Sequence, residues 1–204
     1  EVIDGSFMDV NELRQFFESE MKDAMDSKIL FSLHLKATMM KVSDPILFGH
    51  CVRTFFKDAF DKHKADLGEI GVRPNEGLKS VLRAVKESDL PRESVDAILA
   101  DFDACYETRP WLAMVDSDRG ITNLHVPSDV IIDNSMPLVV RDAGRMWNKL
   151  GKLEDVKCCI PDRSYATTYQ EVLSYVKTHG QFDPATMGNV CNVGLMALKA
   201  EEYG

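Results

Sequence analysis

Apolar residues recur at two periods along the chain, and the alternation between them sets out its elements. Behind Asp9-Val10-Asn11-Glu12, Leu13, Phe16, Phe17 and Met21 fall at helical spacing. Those four leading residues form a capping-box signature, with Asp9 as N-cap and Glu12 reaching back, so a helix is predicted to about Met25. Ile29 to Leu35 is a short apolar run of strand length, and Lys36 ends it. Ser43-Asp44-Pro45 marks the next helix start, with Pro in the first turn. Ile46, Cys51, Phe55 and Phe60 carry that helix towards Leu67, where Gly68 and Gly71 offer stops. A polar loop leads to a short helix from Leu78 to about Val85. Pro91 opens another helix, with Val95, Ile98, Leu99, Phe102 and Tyr106 on one face.

Trp111 to Val115 is predicted as a buried strand, followed by the loop Asp116–Gly120. Val130-Ile131-Ile132 is a second apolar triplet. Asp133-Asn134-Ser135 then resembles the cap of a helix that continues through Arg141 and Trp147 to Gly151. Tyr169 to Val176 predicts an amphipathic helix closed by Gly180, and Leu195 to Glu202 a last one. Strand-like runs alternating with helices predict an α/β fold, a sheet flanked by helices with substantial parallel content. No linker divides the 204 residues, so a single α/β domain over 1–204 is expected.

Charge and composition narrow the function. The net charge is −9, from 24 Lys+Arg against 33 Asp+Glu, and no two basic residues are adjacent. A phosphate-tracking surface needs clustered Lys and Arg, so no nucleic-acid partner is expected. No apolar run reaches the roughly 20 residues of a membrane span, and no membrane association is expected. Cys51, Cys105, Cys158, Cys159 and Cys191 follow no metal-binding spacing. They read as reduced, mostly buried thiols of an intracellular, cytoplasmic protein, with the mitochondrial matrix as the alternative. A soft metal on Cys158-Cys159 would need a second spaced pair.

Nucleotide and hydrolase signatures are absent: no G-x-G-x-x-G, no phosphate-binding P-loop, no G-x-S-x-G and no H-E-x-x-H. The chemistry-bearing candidates are single residues. Asp133 follows an apolar triplet, where ligands gather in open α/β sheets, and a carboxylate there suits Mg²⁺ or Mn²⁺. On spacing alone, helix capping is the preferred reading of Asp133. Asp129 has a weaker case. Lys36 ends an apolar run, where partial desolvation favours the neutral amine, although snorkelling to water is the commoner fate. Lys41 competes with it. His34 and His125 could ligate or transfer protons, or simply be hydrogen-bonded structural histidines.

Four long strings tie these residues to a known family. FSLHLKATMMKVSDPILFGH (Phe31–His50), LAMVDSDRGITNLHVPSDVIIDNSMP (Leu112–Pro137), IPDRSYATTYQ (Ile160–Gln170) and FDPATMGNVCNVGLMALKAEEYG (Phe182–Gly204) closely resemble the monomeric-type NADP-dependent isocitrate dehydrogenases. The resemblance runs almost end to end. It implies that Lys36 is the catalytic lysine, Tyr203 the catalytic tyrosine and Asp133 a metal-ligating aspartate. That choice selects Lys36 over Lys41 and replaces capping by metal ligation at Asp133. It also implies substrate contact by Lys36 and Tyr203, Mg²⁺ or Mn²⁺ and NADP as cofactors, and isocitrate and 2-oxoglutarate as ligands.

The implied fold is that of the isocitrate/isopropylmalate dehydrogenases. The implied place of the chain is within the large domain of a longer, monomeric two-domain enzyme. The first residue is Glu1 rather than Met, and Gly204 falls inside a helical pattern, as expected of a piece of such an enzyme. Residues recognising NADP, and further metal ligands, are then expected in flanking sequence, and the isolated piece is expected to be inactive and prone to self-association. The competing readings are a non-catalytic interaction or scaffold domain from a truncated paralogue and, more weakly, a metal-dependent hydrolase.

Overall fold

The computed structural model describes residues 7–35, 43–125, 135–163, 166–183 and 185–186. Helix α1, Val10–Asp26, begins where the capping signature predicts. The Asp9 carboxylate accepts hydrogen bonds from the backbone N–H groups of Asn11 (2.8 Å) and Glu12 (3.0 Å). Leu13, Phe17, Met21 and Ala24 form its buried stripe. Strand β1, Leu30–Leu33, is buried at every position, as befits a strand covered on both faces.

The predicted long helix after Ser43 is three helices: α2 Asp44–Phe55, α3 Lys57–Lys62 and α4 Lys64–Ile70. The chain departs from helical geometry at Phe56 and His63. The break at Phe56 lets two adjacent, fully buried phenylalanines enter one aromatic cluster. The Phe56 ring lies 4.8 Å from Phe55, 5.5 Å from Phe102 and 5.3 Å from Tyr106, centroid to centroid. Gly71, with φ of +72°, closes α4, whereas Gly68 stays helical. A 3-10 turn, Pro74–Glu76, precedes α5, Leu78–Lys86; α6 spans Arg92–Thr108 and buries Val95, Ile98, Phe102 and Cys105.

The predicted strand at Trp111–Val115 is shorter and only partly buried. Leu112 forms a parallel bridge with Phe31, and β2, Met114–Asp116, pairs antiparallel with β3, Ile121–Thr122. Trp111 and Val115 are exposed. Val130–Ile132 lies outside the described residues.

Helix α7, Ser135–Arg141, does not continue to Gly151 as the sequence pattern suggested. Ala143 and Gly144 take left-handed backbone conformations (φ +58° and +79°), and Gly144 N–H returns to Val139 O at 2.8 Å, so the helix is terminated. Arg145–Trp147 is instead strand β4, antiparallel to β5, Leu153–Cys159. The turn between them is organised by the fully buried Asn148. Its Oδ1 accepts from the N–H groups of Leu150 (2.8 Å) and Lys152 (2.9 Å), and its Nδ2 donates to Glu154. Strand β5 pairs parallel with β1, Leu30 opposite Val156 and Leu33 opposite Cys159.

Among the described residues the sheet therefore runs β1-β5-β4, with Leu112 extending the β1 edge. It holds one parallel ladder and one antiparallel ladder, and the β2–β3 pair is antiparallel too, so the fold is mixed α/β with less parallel content than predicted. One hydrophobic core joins α1, β1, α2 to α6, Leu112, Leu124 and Cys159. The last described helix, α8, Ala166–His179, buries no side chain, and Gly180 (φ +83°) closes it. The predicted helix at Leu195–Glu202 lies outside the described residues.

Candidate active-site edge

The parallel segments β1, β5 and Leu112 end at one edge of the sheet. Their backbones are locked there: Phe31 N–H donates to Trp111 O (2.8 Å), Ala113 N–H to Phe31 O (2.9 Å) and His34 N–H to Cys159 O (2.8 Å). Ligands of open α/β folds collect beyond such carboxyl ends. Two described histidines and a buried asparagine mark the edge.

His34 follows β1 directly and is 3% exposed. Burial lowers its pKa to about 4, so the ring is neutral at pH 7. Asn123 is also buried, and its Nδ2 donates to Leu33 O and, at 3.4 Å, to Ser32 Oγ. The end of β1 is thereby tied to the turn after β3. The first N–H groups of α5 hold that turn from the other side, Leu78 N–H donating to Leu124 O (2.8 Å) and Lys79 N–H to His125 O (3.0 Å). Asp44, 1% exposed, sits in the first turn of α2.

His125 Nδ1 accepts from the N–H (3.1 Å) and the hydroxyl (2.8 Å) of Thr122. The neutral ring therefore carries its proton on Nε2, 3.4 Å from the Tyr106 hydroxyl. Desolvation lowers the His125 pKa and raises that of Tyr106. Both side chains line a cavity of about 450 Å³ with Leu78, Phe102, Leu112 and Lys149, whose ammonium stands 4.3 Å over the Trp111 ring. The cavity wall also carries Asp103 and Glu107, so His125 and Tyr106 there can orient a ligand among charged neighbours.

The sequence-derived site falls into two groups. Lys36, Lys41, Asp129, Asp133, Tyr203 and Cys191 lie outside the described residues. His34 and His125 are described: burial lowers the pKa of both rings, and His125 accepts from Thr122 through Nδ1. Among the described residues no three His, Cys, Asp or Glu side chains gather to hold a metal ion. Burial pushes the Cys158 and Cys159 thiols up to about 12, so both are protonated at pH 7. Asn123 carried no sequence signal, because its partners lie some ninety positions upstream.

Comparison with known proteins places the chain in a family. The family model described as monomeric isocitrate dehydrogenase matches residues 1–204. The chain belongs to the monomeric isocitrate dehydrogenase family. It is 56% identical over all 204 residues to an NADP isocitrate dehydrogenase of Azotobacter vinelandii. It is 54% identical to one of Psychrobacter sp. (strain 13A) and 52% to one of Mycobacterium tuberculosis, again along its whole length. It spans 27% of the length of each of these relatives. No described helix is long and apolar enough to cross a membrane.

Proposed function

We propose that the chain is part of an NADP-dependent isocitrate dehydrogenase, a single α/β domain within the large domain of a longer two-domain, monomeric enzyme of the isocitrate/isopropylmalate dehydrogenase fold. The family match along residues 1–204, with Lys36, Asp133 and Tyr203 each in its matching string, carries this reading. The reaction converts isocitrate to 2-oxoglutarate and CO₂, with hydride passing from C2 to NADP⁺. Lys36, as the neutral amine, takes the C2 hydroxyl proton, and the Tyr203 phenol returns a proton to C3 once CO₂ has left. Asp133 is assigned as one ligand of Mg²⁺ or Mn²⁺. The described residues supply no ligand set for such an ion. Asn123 fixes the end of β1, three residues before Lys36 in sequence.

The isolated 204-residue chain should therefore show no isocitrate-dependent NADPH absorbance with Mg²⁺ or Mn²⁺, and robust turnover would refute its partial nature. The positive test is a chimera in which residues 1–204 replace the matching stretch of the Azotobacter vinelandii relative. It should oxidise isocitrate with NADP⁺. Lys36→Met and Tyr203→Phe should each cost it about 10²–10⁴-fold in kcat. A folded chimera that binds neither isocitrate nor NADP⁺, or that is indifferent to both substitutions, would overturn the assignment.

A further inference from the structure

Acidic residues outnumber basic ones, 33 to 24, yet two arginines face each other across the α1–α2 contact without a carboxylate between them. Arg14, on α1, directs Nε and Nη2 at His50 Nδ1, each at 3.4 Å. Arg53 lies one turn beyond His50 on α2, its guanidinium 5.1 Å over the Phe60 ring. Both arginines line a cavity of about 440 Å³, and among the described residues neither pairs with an acid.

The two carboxylates at that cavity are committed elsewhere. Glu18 receives the Arg109 guanidinium (2.7 and 3.4 Å), and Asp61 pairs with Lys57. The mutual repulsion is felt by the groups themselves. Burial first, then Arg14 and Arg53, lower the His50 pKa; burial, then Arg14, lower that of Arg53. Two guanidinium forks and the Lys57 ammonium on the cavity wall, with the His50 imidazole held by one of the forks, make a positive cluster whose chemistry suits an oxyanion.

We propose that Arg14, His50 and Arg53 form a binding site for a small multivalent oxyanion, a phosphate or a di- or tricarboxylate, between α1 and α2. The two guanidinium groups supply charge-assisted hydrogen bonds, and the anion relieves their repulsion. As it binds, His50 becomes free to take up a proton and donate in turn. The site uses none of the residues assigned to isocitrate oxidation and stands independently of that assignment.

The test is titration of the 204-residue chain with inorganic phosphate and, separately, with tricarballylate. Ionic strength is matched with chloride, and the His50 ring resonances are followed by NMR. Saturable shifts are expected, with the His50 titration midpoint raised by about one pH unit in the anion's presence. The tighter of the two probes identifies phosphate or carboxylate as the preferred source. Arg14→Gln and Arg53→Gln should each weaken binding about tenfold, and the double variant should abolish it. Arg92→Gln, which removes an exposed arginine paired with Asp96 on α6, should leave binding unchanged. Far-UV circular dichroism confirms that the variants fold. Equal shifts with chloride, no saturable binding of either probe, or binding that survives in the folded double variant would each overturn the proposal.

Discussion

His34 makes the stability of this chain depend on pH in a window that can be calculated. Its ring is 3% exposed at the end of β1, and burial lowers its pKa from 6.5 to about 4. Above pH 6.5 the ring is neutral in both the native and the unfolded chain, and no proton-linked difference exists. Between pH 6.5 and 4 the unfolded chain binds a proton that the native state refuses, so stability falls as pH falls. Below about 4 the native ring protonates as well and the loss is complete. The drop from 6.5 to about 4, at about 1.4 kcal/mol per pH unit, comes to about 3 kcal/mol, of which about 2 kcal/mol is already lost at pH 5. His50 and His125, also shifted down, add losses of the same sign. Carboxylates held low by partners, Asp101 by Lys62 and His63 and Glu76 by Ser80 and Arg73, lose their contribution only as pH approaches about 4. The interval from pH 7 to 5 therefore isolates the histidines. Urea unfolding of the parent and of His34→Gln at both pH values should show the parent losing about 2 kcal/mol more than the variant. NMR titration of the native protein should find the His34 ring still neutral at pH 5. Parallel loss of stability in the two proteins, or a native His34 ring that titrates near 6.5, would refute the linkage.

The elements that could be read from sequence are those whose signal is local. Helix α1 carries its own cap, and α6 its own apolar stripe, so periodicity located both. The three-way break of α2 to α4 was not local. It follows from burying Phe55 and Phe56 together against Phe102 and Tyr106, residues supplied by α6. Strand β5 was hidden by its composition, Leu153-Glu154-Asp155-Val156-Lys157, which has no apolar run. Its charges are accommodated by other elements: Lys157 bonds Glu20 (2.6 Å) and Asp23 of α1, and Asn148 bonds Glu154. The helix predicted through Trp147 failed because nothing in the apolar pattern registers the left-handed turn at Ala143-Gly144. At the candidate site, His34 and His125 were visible as residue types, but their neutrality depends on burial and on Thr122, which spacing does not reveal. Lys36 and Asp133 were candidates from their places after apolar runs, but only the resemblance of the long strings preferred Lys36 to Lys41, implied ligation rather than capping at Asp133 and brought in Tyr203.

Two substitutions test the packing that holds the site edge. Asn123→Ala removes the Nδ2 bonds to Leu33 O and Ser32 Oγ while discarding an Oδ1 that has no partner among the described residues, so the net loss should be about 1–2 kcal/mol. Urea unfolding should show it, with faster exchange of the His34 amide; an unchanged midpoint would mean that Asn123 is not the tie. Gly49→Ala sets helix propensity against packing. In an open helix, Gly to Ala gains about 1 kcal/mol. At Gly49, however, an added Cβ would stand 1.8 Å from Asn75 Oδ1 and 3.0 Å from the Asn75 backbone nitrogen. The side chain can swing away, but the backbone cannot, so α2 would have to retreat from the Pro74–Glu76 turn at a cost of about 1–3 kcal/mol. Gly68→Ala, in α4 with nothing within 4 Å of the new carbon, should instead stabilise, by up to about 1 kcal/mol. Thermal or urea unfolding of the two variants should thus give opposite signs. Asn75→Ala added to Gly49→Ala should recover only part of the loss, because the backbone contact remains. A Gly49→Ala chain as stable as the Gly68→Ala chain would show that α2 does not pack against the 74–76 turn at this distance.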